Sequence, residues 1–302
     1  GECSEPEIDR LTEFSRESDI DMVVGIGGGK TLDTAKAVAY ALGYPMVMVP
    51  TIASNDASTS RVIPIYSATG EFLKPTFMDR NPDTIIVDTQ VIAQAPSRFL
   101  VAGMGDALAT KFEADQCEAK GVDNFFHGLR CRAALALADT CCELITTYGA
   151  LAKKAVEQKC VTPAVERVVE ANVLLSGLGF ESCGVAAAHM MEQGFSQLGE
   201  THGYLHGEKV AFGLLVQFVL ESRDKAFLDE MMRLYDDLGL PMSLKEIGIS
   251  EMTDKKREMI LNCACRPEGR MGNMNMHLTN KMVGDALTVA DALGSAFKEK
   301  IR

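Results

Sequence analysis

Three of the 5 histidines in this chain crowd into residues 186–213, AAAHMMEQGFSQLGETHGYLHGEKVAFG, as His189, His202 and His206. Imidazole is a common transition-metal ligand. A carboxylate that could join them stands well upstream, Asp106 in GMGDALATKFEA. One carboxylate and two imidazoles leave a fourth position on a divalent ion for water or substrate, the pattern of a catalytic rather than a structural zinc. Asp106, His189 and His206 are the set expected to hold such an ion. His202 is the rival third ligand, a partner behind the ligands, or a proton carrier. Each residue also has an ordinary structural explanation. Asp106 follows Gly103 and Gly105 and reads as a residue near a helix start, where the dipole favours a carboxylate. His189 follows three alanines, and a core histidine on an apolar helix is commonly just hydrogen-bonded. His202 and His206 would share a helix face, but Gly203 and Gly207 interrupt it. His127 and His277 lie in polar surroundings and read as surface residues.

A second cluster suits an anion. Gly25-Ile-Gly27-Gly28-Gly29-Lys30-Thr31 follows a strand and opens a helix. Backbone N–H groups and the helix dipole can hold a phosphate there, and glycines let the backbone come close. Two familiar phosphate motifs do not match. A P-loop needs glycine where Val24 stands, and the Rossmann fingerprint needs it at Lys30 or Leu32. Downstream, PTIASNDASTS at 50–60 follows the next strand. Thr51, Ser54 and Ser60 could hydrogen-bond a cofactor, and Asp56 could accept a bond from a substrate hydroxyl. The same residue types are ordinary in capped surface loops.

The elements that must carry these residues alternate at first. Ile8, Leu11 and Phe14 recur at helical spacing within 5–18. Asp21 to Ile26 reads as a short buried strand, Thr31 to Leu42 as a helix, and Pro45 to Pro50 as a strand. Arg61–Tyr66 and Thr84–Asp88 read as further strands. Alternation of this kind implies a parallel sheet with right-handed crossovers. From Ser97 onward the pattern is almost wholly helical. The expected architecture is an α/β dinucleotide-binding domain over 1–96 and an all-α domain over 97–302. A ligand belongs in the cleft between them. The chain opens on a helix, so the leading strand and helix of a dinucleotide fold are expected to be missing from this sequence.

At 302 residues there is length for a large core in two domains. A net charge of −12 argues against nucleic acid or an anionic membrane as partner. Apolar runs are broken well short of a membrane span, and Gly1 to Asp21 carries no signal-peptide pattern. The 9 cysteines are few, odd in number and set in apolar, helix-like surroundings, which fits reduced thiols in the cytoplasm.

GIGGGKTLDTAK, PTIASNDASTS, GMGDALATKFEA, GFESCGVAAAH and HGEKVAFG together resemble the glycerol dehydrogenases of the iron-containing alcohol dehydrogenase superfamily, along nearly the whole chain. The resemblance implies an NAD-dependent, zinc-bearing homo-oligomer that oxidises glycerol, a small polyol, to dihydroxyacetone. It implies metal ligands at Asp106, His189 and His206, and a substrate contact at Asp56. It implies cofactor contacts at Gly27, Gly28, Gly29, Lys30, Thr31, Thr51, Ser54, Ser60, Val62 and Tyr66. Iron-using relatives carry a further histidine where Thr110 stands, which favours zinc. The family's leading strand, with its acidic contact to the adenosine ribose, has no counterpart here. In the expected mechanism the metal lowers the pKa of a substrate hydroxyl, the nicotinamide takes the hydride, and His202 or water carries the proton. Activity should then be highest at alkaline pH. Two rival readings stand. One is a related polyol, sugar-phosphate or glycerol-1-phosphate dehydrogenase, for which Arg61, Lys74 and Lys209 are the basic candidates. The other is a truncated, inactive homologue.

Overall fold

The computed structural model describes residues 1–67 and 69–301, without the side chain of Ile301. The first part runs α1 (Glu5–Arg16), β1 (Val23–Gly27), α2 (Gly29–Leu42), β2 (Met46–Pro50), β3 (Val62–Tyr66), β4 (Phe72–Phe77), β5 (Thr84–Ile85) and α3 (Thr89–Gln94). The rest is helical: α4 (Ser97–Lys120), α5 (Arg132–Glu157), α6 (Pro163–Glu170), a π-helical turn (Ala171–Leu175), α7 (Ser176–Cys183) and α8 (Ala187–Phe195). It continues with α9 (His206–Leu220), α10 (Lys225–Leu238), α11 (Asp254–Ala264) and α12 (Asn280–Ile301). An α/β portion thus precedes an α-rich one. No single helix among the described residues is long and apolar enough to cross a membrane.

Among the described residues the parallel sheet has the order β1-β2-β5. Its inner face is covered: Met46 and Met48 are fully buried with Leu32 of α2, Cys3, Ile63 and Ile65. Its outer face is not. Val24 is 48% and Ile26 61% exposed, so β1 is not the buried strand that its apolar run suggests. Period-2 alternation puts these two side chains opposite Gly25, which is buried.

The stretch 62–66 is a strand but not part of the parallel sheet. It pairs antiparallel with β4 as a hairpin. The partner strand is disguised by Lys74 and Pro75. Pro75 lies opposite Pro64 in the register. Neither has an N–H to give, so the pair fits only at a position that exchanges no hydrogen bonds. The hairpin has two faces. Ile63 and Ile65 enter the core, whereas Val62, Pro64 and Tyr66 line a cavity.

The large helical core is organised around α4, which packs on α5, α7 and α9. Its small residues let neighbours come close. A Cβ at Gly207 of α9 would sit 1.8 Å from the Ala102 carbonyl of α4, and one at Gly103 would sit 2.1 Å from the Ala53 carbonyl. Backbones that near each other tolerate only glycine. The loop after β2 is thereby pinned to the helical part. Asn172, in the π-helical turn, donates to the carbonyls of Ala53 (2.9 Å) and Leu100 (3.0 Å). Thr59 donates to the Val173 carbonyl. Single π turns inside helices are frequent at functional sites. From α7, Glu181 accepts from the Arg61 N–H (3.1 Å) and from Asn81.

Candidate active site

Asp106 lies in the middle of α4, not near a helix start, and is 2% exposed. Its carboxylate is therefore not a helix cap, and the dipole does not account for it. The Gly207–Ala102 contact brings the first residue of α9, His206, down onto it. His206 Nε2 stands 3.4 Å and His189 Nε2 3.3 Å from Asp106 Oδ1. The ligand atoms of the three residues lie within 4.8 Å of one another. Two ligands on a tetrahedral zinc, each about 2.05 Å from the ion, are about 3.3 Å apart. Asp106 Oδ1 is buried and has no hydrogen-bond partner among the described residues. An orphaned carboxylate oxygen flanked by two imidazoles fits a divalent cation.

Behind each imidazole stands a second carboxylate. Glu113, fully buried, accepts from the backbone N–H groups of Ala186 (2.8 Å) and His189 (3.0 Å). It thereby satisfies the open N-terminus of α8. Its other oxygen meets His189 Nδ1 at 2.5 Å. Glu192 Oε1 lies 3.4 Å from His206 Nδ1 and is itself held by Ser196 Oγ (2.7 Å) and Lys209 Nζ (3.1 Å). A carboxylate on the far nitrogen fixes tautomer and ring orientation, leaving Nε2 for the ion. Reading residue types for ligands missed both glutamates. Their spacing carries a signal: Glu113 falls two helical turns after Asp106, and Glu192 one turn after His189.

The charges are strongly coupled. Burial pushes both imidazoles down, but the surrounding carboxylates overcome it. His189 is held well above the ordinary histidine value by Glu113 and Asp106, and His206 is raised to about 10 by Glu192 and Asp106. Burial also works against Asp106 and Glu192 as anions. The cations beside them, His206 and His189 for Asp106, Lys209 and His206 for Glu192, hold both well below the usual range.

His189 and His206 open onto a cavity of about 660 Å³ that reaches the α/β portion. Gly28, Gly29, Lys30, Thr31, Ser54, Asp56, Ser60, Val62, Tyr66 and His202 also line it. Gly27 and Thr51 do not: the Thr51 N–H is spent on the Gly27 carbonyl (2.9 Å). No side chain caps the N-terminus of α2, so its first N–H groups face the cavity with the dipole behind them. A Cβ on Gly29 would strike Asn55 at 2.7 Å, which keeps that approach bare. The Lys30 ammonium is paired with Glu2.

Asp56 reaches the cavity from the pinned loop. Ser176 Oγ donates to it at 2.6 Å and itself lies 3.2 Å from Thr110 Oγ1. Burial, then the negative charge of Asp106, raises the Asp56 carboxyl to about 7. His202 Nε2 is 3.2 Å from the Ser196 carbonyl, so this ring is anchored on one side. The basic residues considered for a phosphate substrate are engaged: Lys74 with Glu5, Lys209 with Glu192, and Arg61 with the Phe125 carbonyl and the Phe126 ring. Two other cations, Arg266 and Arg270, line the cavity, and the sequence reading missed them.

Comparison with known proteins places this geometry in context. The sequence model of the iron-containing alcohol dehydrogenases matches residues 2–96. A glycerol dehydrogenase of Thermotoga maritima is 50% identical over 294 residues, covering 97% of this chain and 80% of its own. The crystal structure of a probable glycerol dehydrogenase from Sinorhizobium meliloti 1021 superposes with a TM-score of 0.95 at 43% identity, over 98% of this chain and 83% of that one. That of glycerol dehydrogenase from Schizosaccharomyces pombe also gives 0.95, at 36% identity, over 100% of this chain and 76% of that one.

Proposed function

The chain belongs to the glycerol dehydrogenases of the iron-containing alcohol dehydrogenase family, and from that premise we propose that it oxidises glycerol to dihydroxyacetone with NAD at a zinc ion held by Asp106, His189 and His206. The observation that carries the reading is the convergence of those three side chains at a cavity that the uncapped start of α2 also lines. When bound, the cation supplies Lewis acidity and the nicotinamide accepts the hydride.

The protein's own groups do the rest. Glu113 and Glu192 orient the imidazoles from behind. Residues 28–31 receive the cofactor pyrophosphate, with Ser54, Ser60, Val62 and Tyr66 along its path. Asp56, fixed by Ser176, accepts a hydrogen bond from the polyol and orients it for hydride loss. His202 stands at the rim as a relay toward water. Residues 1–96 act as the cofactor-binding domain and 97–302 as the metal- and substrate-binding domain. The reading extends to a cytoplasmic homo-oligomer. Nine unpaired cysteines and exposed apolar side chains such as Leu129 and Leu151 support that part.

The test is direct. The zinc-loaded protein is mixed with NAD and glycerol, and absorbance of the reduced cofactor is followed. A rising trace that dihydroxyacetone with reduced cofactor reverses is expected. A flat trace from folded, zinc-replete protein overturns the reading.

A further inference from the structure

Arg270 is a cation the proposed reaction leaves unused. It follows α11 and lines the same cavity as His189, Met190, Phe125 and Phe180. Its backbone N–H lies 3.1 Å from Met190 Sδ, on the residue next to His189. Its guanidinium carbon stands 4.1 Å over the Phe125 ring. Phe125 meets Phe180 edge-on at 5.4 Å, and Phe180 stacks on the His189 ring at 6.4 Å. A continuous aromatic wall therefore joins Arg270 to the candidate metal corner.

Among the described residues, no carboxylate, carbonyl or hydroxyl accepts a hydrogen bond from this side chain. Its neighbours differ. Arg266 is spent on Gln193 Oε1 (2.5 Å) and the Cys263 carbonyl (2.8 Å), and Lys209 on Glu192 and Ser196. Burial pushes the Arg270 guanidinium down; the Cys117 thiol opposes it, and no carboxylate does. A partly buried charge without a partner is costly, and this chain holds 42 acidic residues that could have supplied one. Stacking occupies a face of the guanidinium and leaves its in-plane N–H donors unused. That planar fork matches a carboxylate or a phosphate.

We propose that Arg270 is a specificity residue that receives an anionic group carried by the substrate, so that the cleft takes hydroxy acids or phosphate esters of polyols as well as neutral polyols. The inference rests on the dehydrogenase reading above. In each turnover the carbinol C–H bond breaks and its electron pair passes with hydrogen to the oxidised nicotinamide. The O–H proton leaves to solvent through the cleft, a carbonyl forms, and the anionic group is unchanged. The other basic side chains that line the cavity, Lys30, Lys209 and Arg266, are engaged with Glu2, Glu192 and Gln193 respectively, so an anion admitted here depends on Arg270.

The experiment compares the zinc-loaded full chain with its Arg270→Gln and Arg270→Lys variants on three probes. These are glycerol, glycerate as the carboxylate and glycerol 3-phosphate as the phosphate ester. A hydrogen bond to a charged group carries about 10- to 100-fold in recognition. Arg270→Gln should lower kcat/KM for an anionic probe by that factor, chiefly through KM. The accompanying loss for glycerol should be at least about ten-fold smaller, and Arg270→Lys should recover part of the difference. Whichever anion shows this pattern identifies the source of the charge. Calorimetric binding of glycerate and of glycerol 3-phosphate to the zinc-loaded protein decides the matter even where nothing turns over. Saturable binding weakened by Arg270→Gln supports the proposal. No binding of either anion, binding indifferent to Arg270, or equal losses for glycerol and the anions overturns it. Failure with glycerol alone strikes the dehydrogenase reading instead.

Discussion

The candidate metal corner and the glycine-turn side of the cleft are built on opposite plans. In the corner both imidazoles have a second restraint, and so do the glutamates behind them. His189 has Glu113, His206 has Glu192, Glu192 has Lys209 and Ser196, and Glu113 also caps a helix. Across the cleft the groups facing the cavity are backbone N–H groups at an uncapped helix, and the sheet behind them is bare on its outer face. A ligand set must be fixed to a fraction of an ångström before the ion arrives, and only supported side chains achieve that. An anion site made of main chain needs no side-chain support, because the backbone is already positioned by the turn.

The contrast is broken most severely by removing a ligand. His206→Ala should lower turnover by more than about 100-fold, since even the supporting residues of a metal site are worth about 10- to 100-fold. Bound zinc, measured by elemental analysis, should fall with it while the circular dichroism spectrum stays. An active, zinc-free variant would remove the basis for the ligand set.

Proton linkage comes next. Without a cation both imidazoles are protonated at neutral pH, because the carboxylates around them outweigh burial. Zinc takes neutral imidazole, so its uptake expels a proton from each ring. Affinity should therefore climb with pH through the neutral range, by about 10-fold per unit for each imidazole that is still protonated, and fall on acidification. Titration in buffers of different ionisation enthalpy counts the protons. The sign for stability is opposite. His206 is raised above the unfolded value, so its contribution in the cation-free protein is full below about 6.5 and is lost as pH rises through about 10. Thermal melts with and without zinc should diverge in that window. Zinc uptake that releases no protons would contradict the charge pattern.

Glu113→Gln sharpens the comparison further. The amide is nearly isosteric, but its nitrogen only donates, so its single oxygen cannot accept from both the α8 start and the imidazole. Zinc affinity should fall by about 10- to 100-fold, and the melting temperature with it. An unchanged zinc affinity would reduce Glu113 to a helix cap.

Legibility in the sequence follows the same divide. Asp106, His189 and His206 are readable from residue type, because few side chains bind metal and histidine is scarce here. Their supports are not, since glutamate is abundant and only the α4 geometry distinguishes Glu113 from the rest. Helices from Ser97 onward follow from small apolar residues at helical spacing. The hairpin was half visible: β3 has a strand pattern, while Lys74 and Pro75 hide β4. The exposure of β1 was not legible at all. Val24 and Ile26 are as apolar as any core strand, and burial depends on what packs over them.

That face yields the smallest and most discriminating effect. Met48 of β2 is fully buried against α2 and the hairpin, whereas Ile26 of β1 is 61% exposed on the opposite side. Truncating a buried methionine opens a cavity, so Met48→Ala should cost about 2–5 kcal/mol in a denaturant titration. Ile26→Thr keeps the β-branch and removes apolar surface that already meets water, so it should change stability by no more than about 0.5 kcal/mol. The two substitutions lie in neighbouring strands of one sheet, so a general weakening of the α/β portion cannot explain a difference between them. A loss above about 2 kcal/mol for Ile26→Thr would mean that something covers this face in solution. If the cover is a second copy, the melting temperature of the unsubstituted protein must also rise with its concentration.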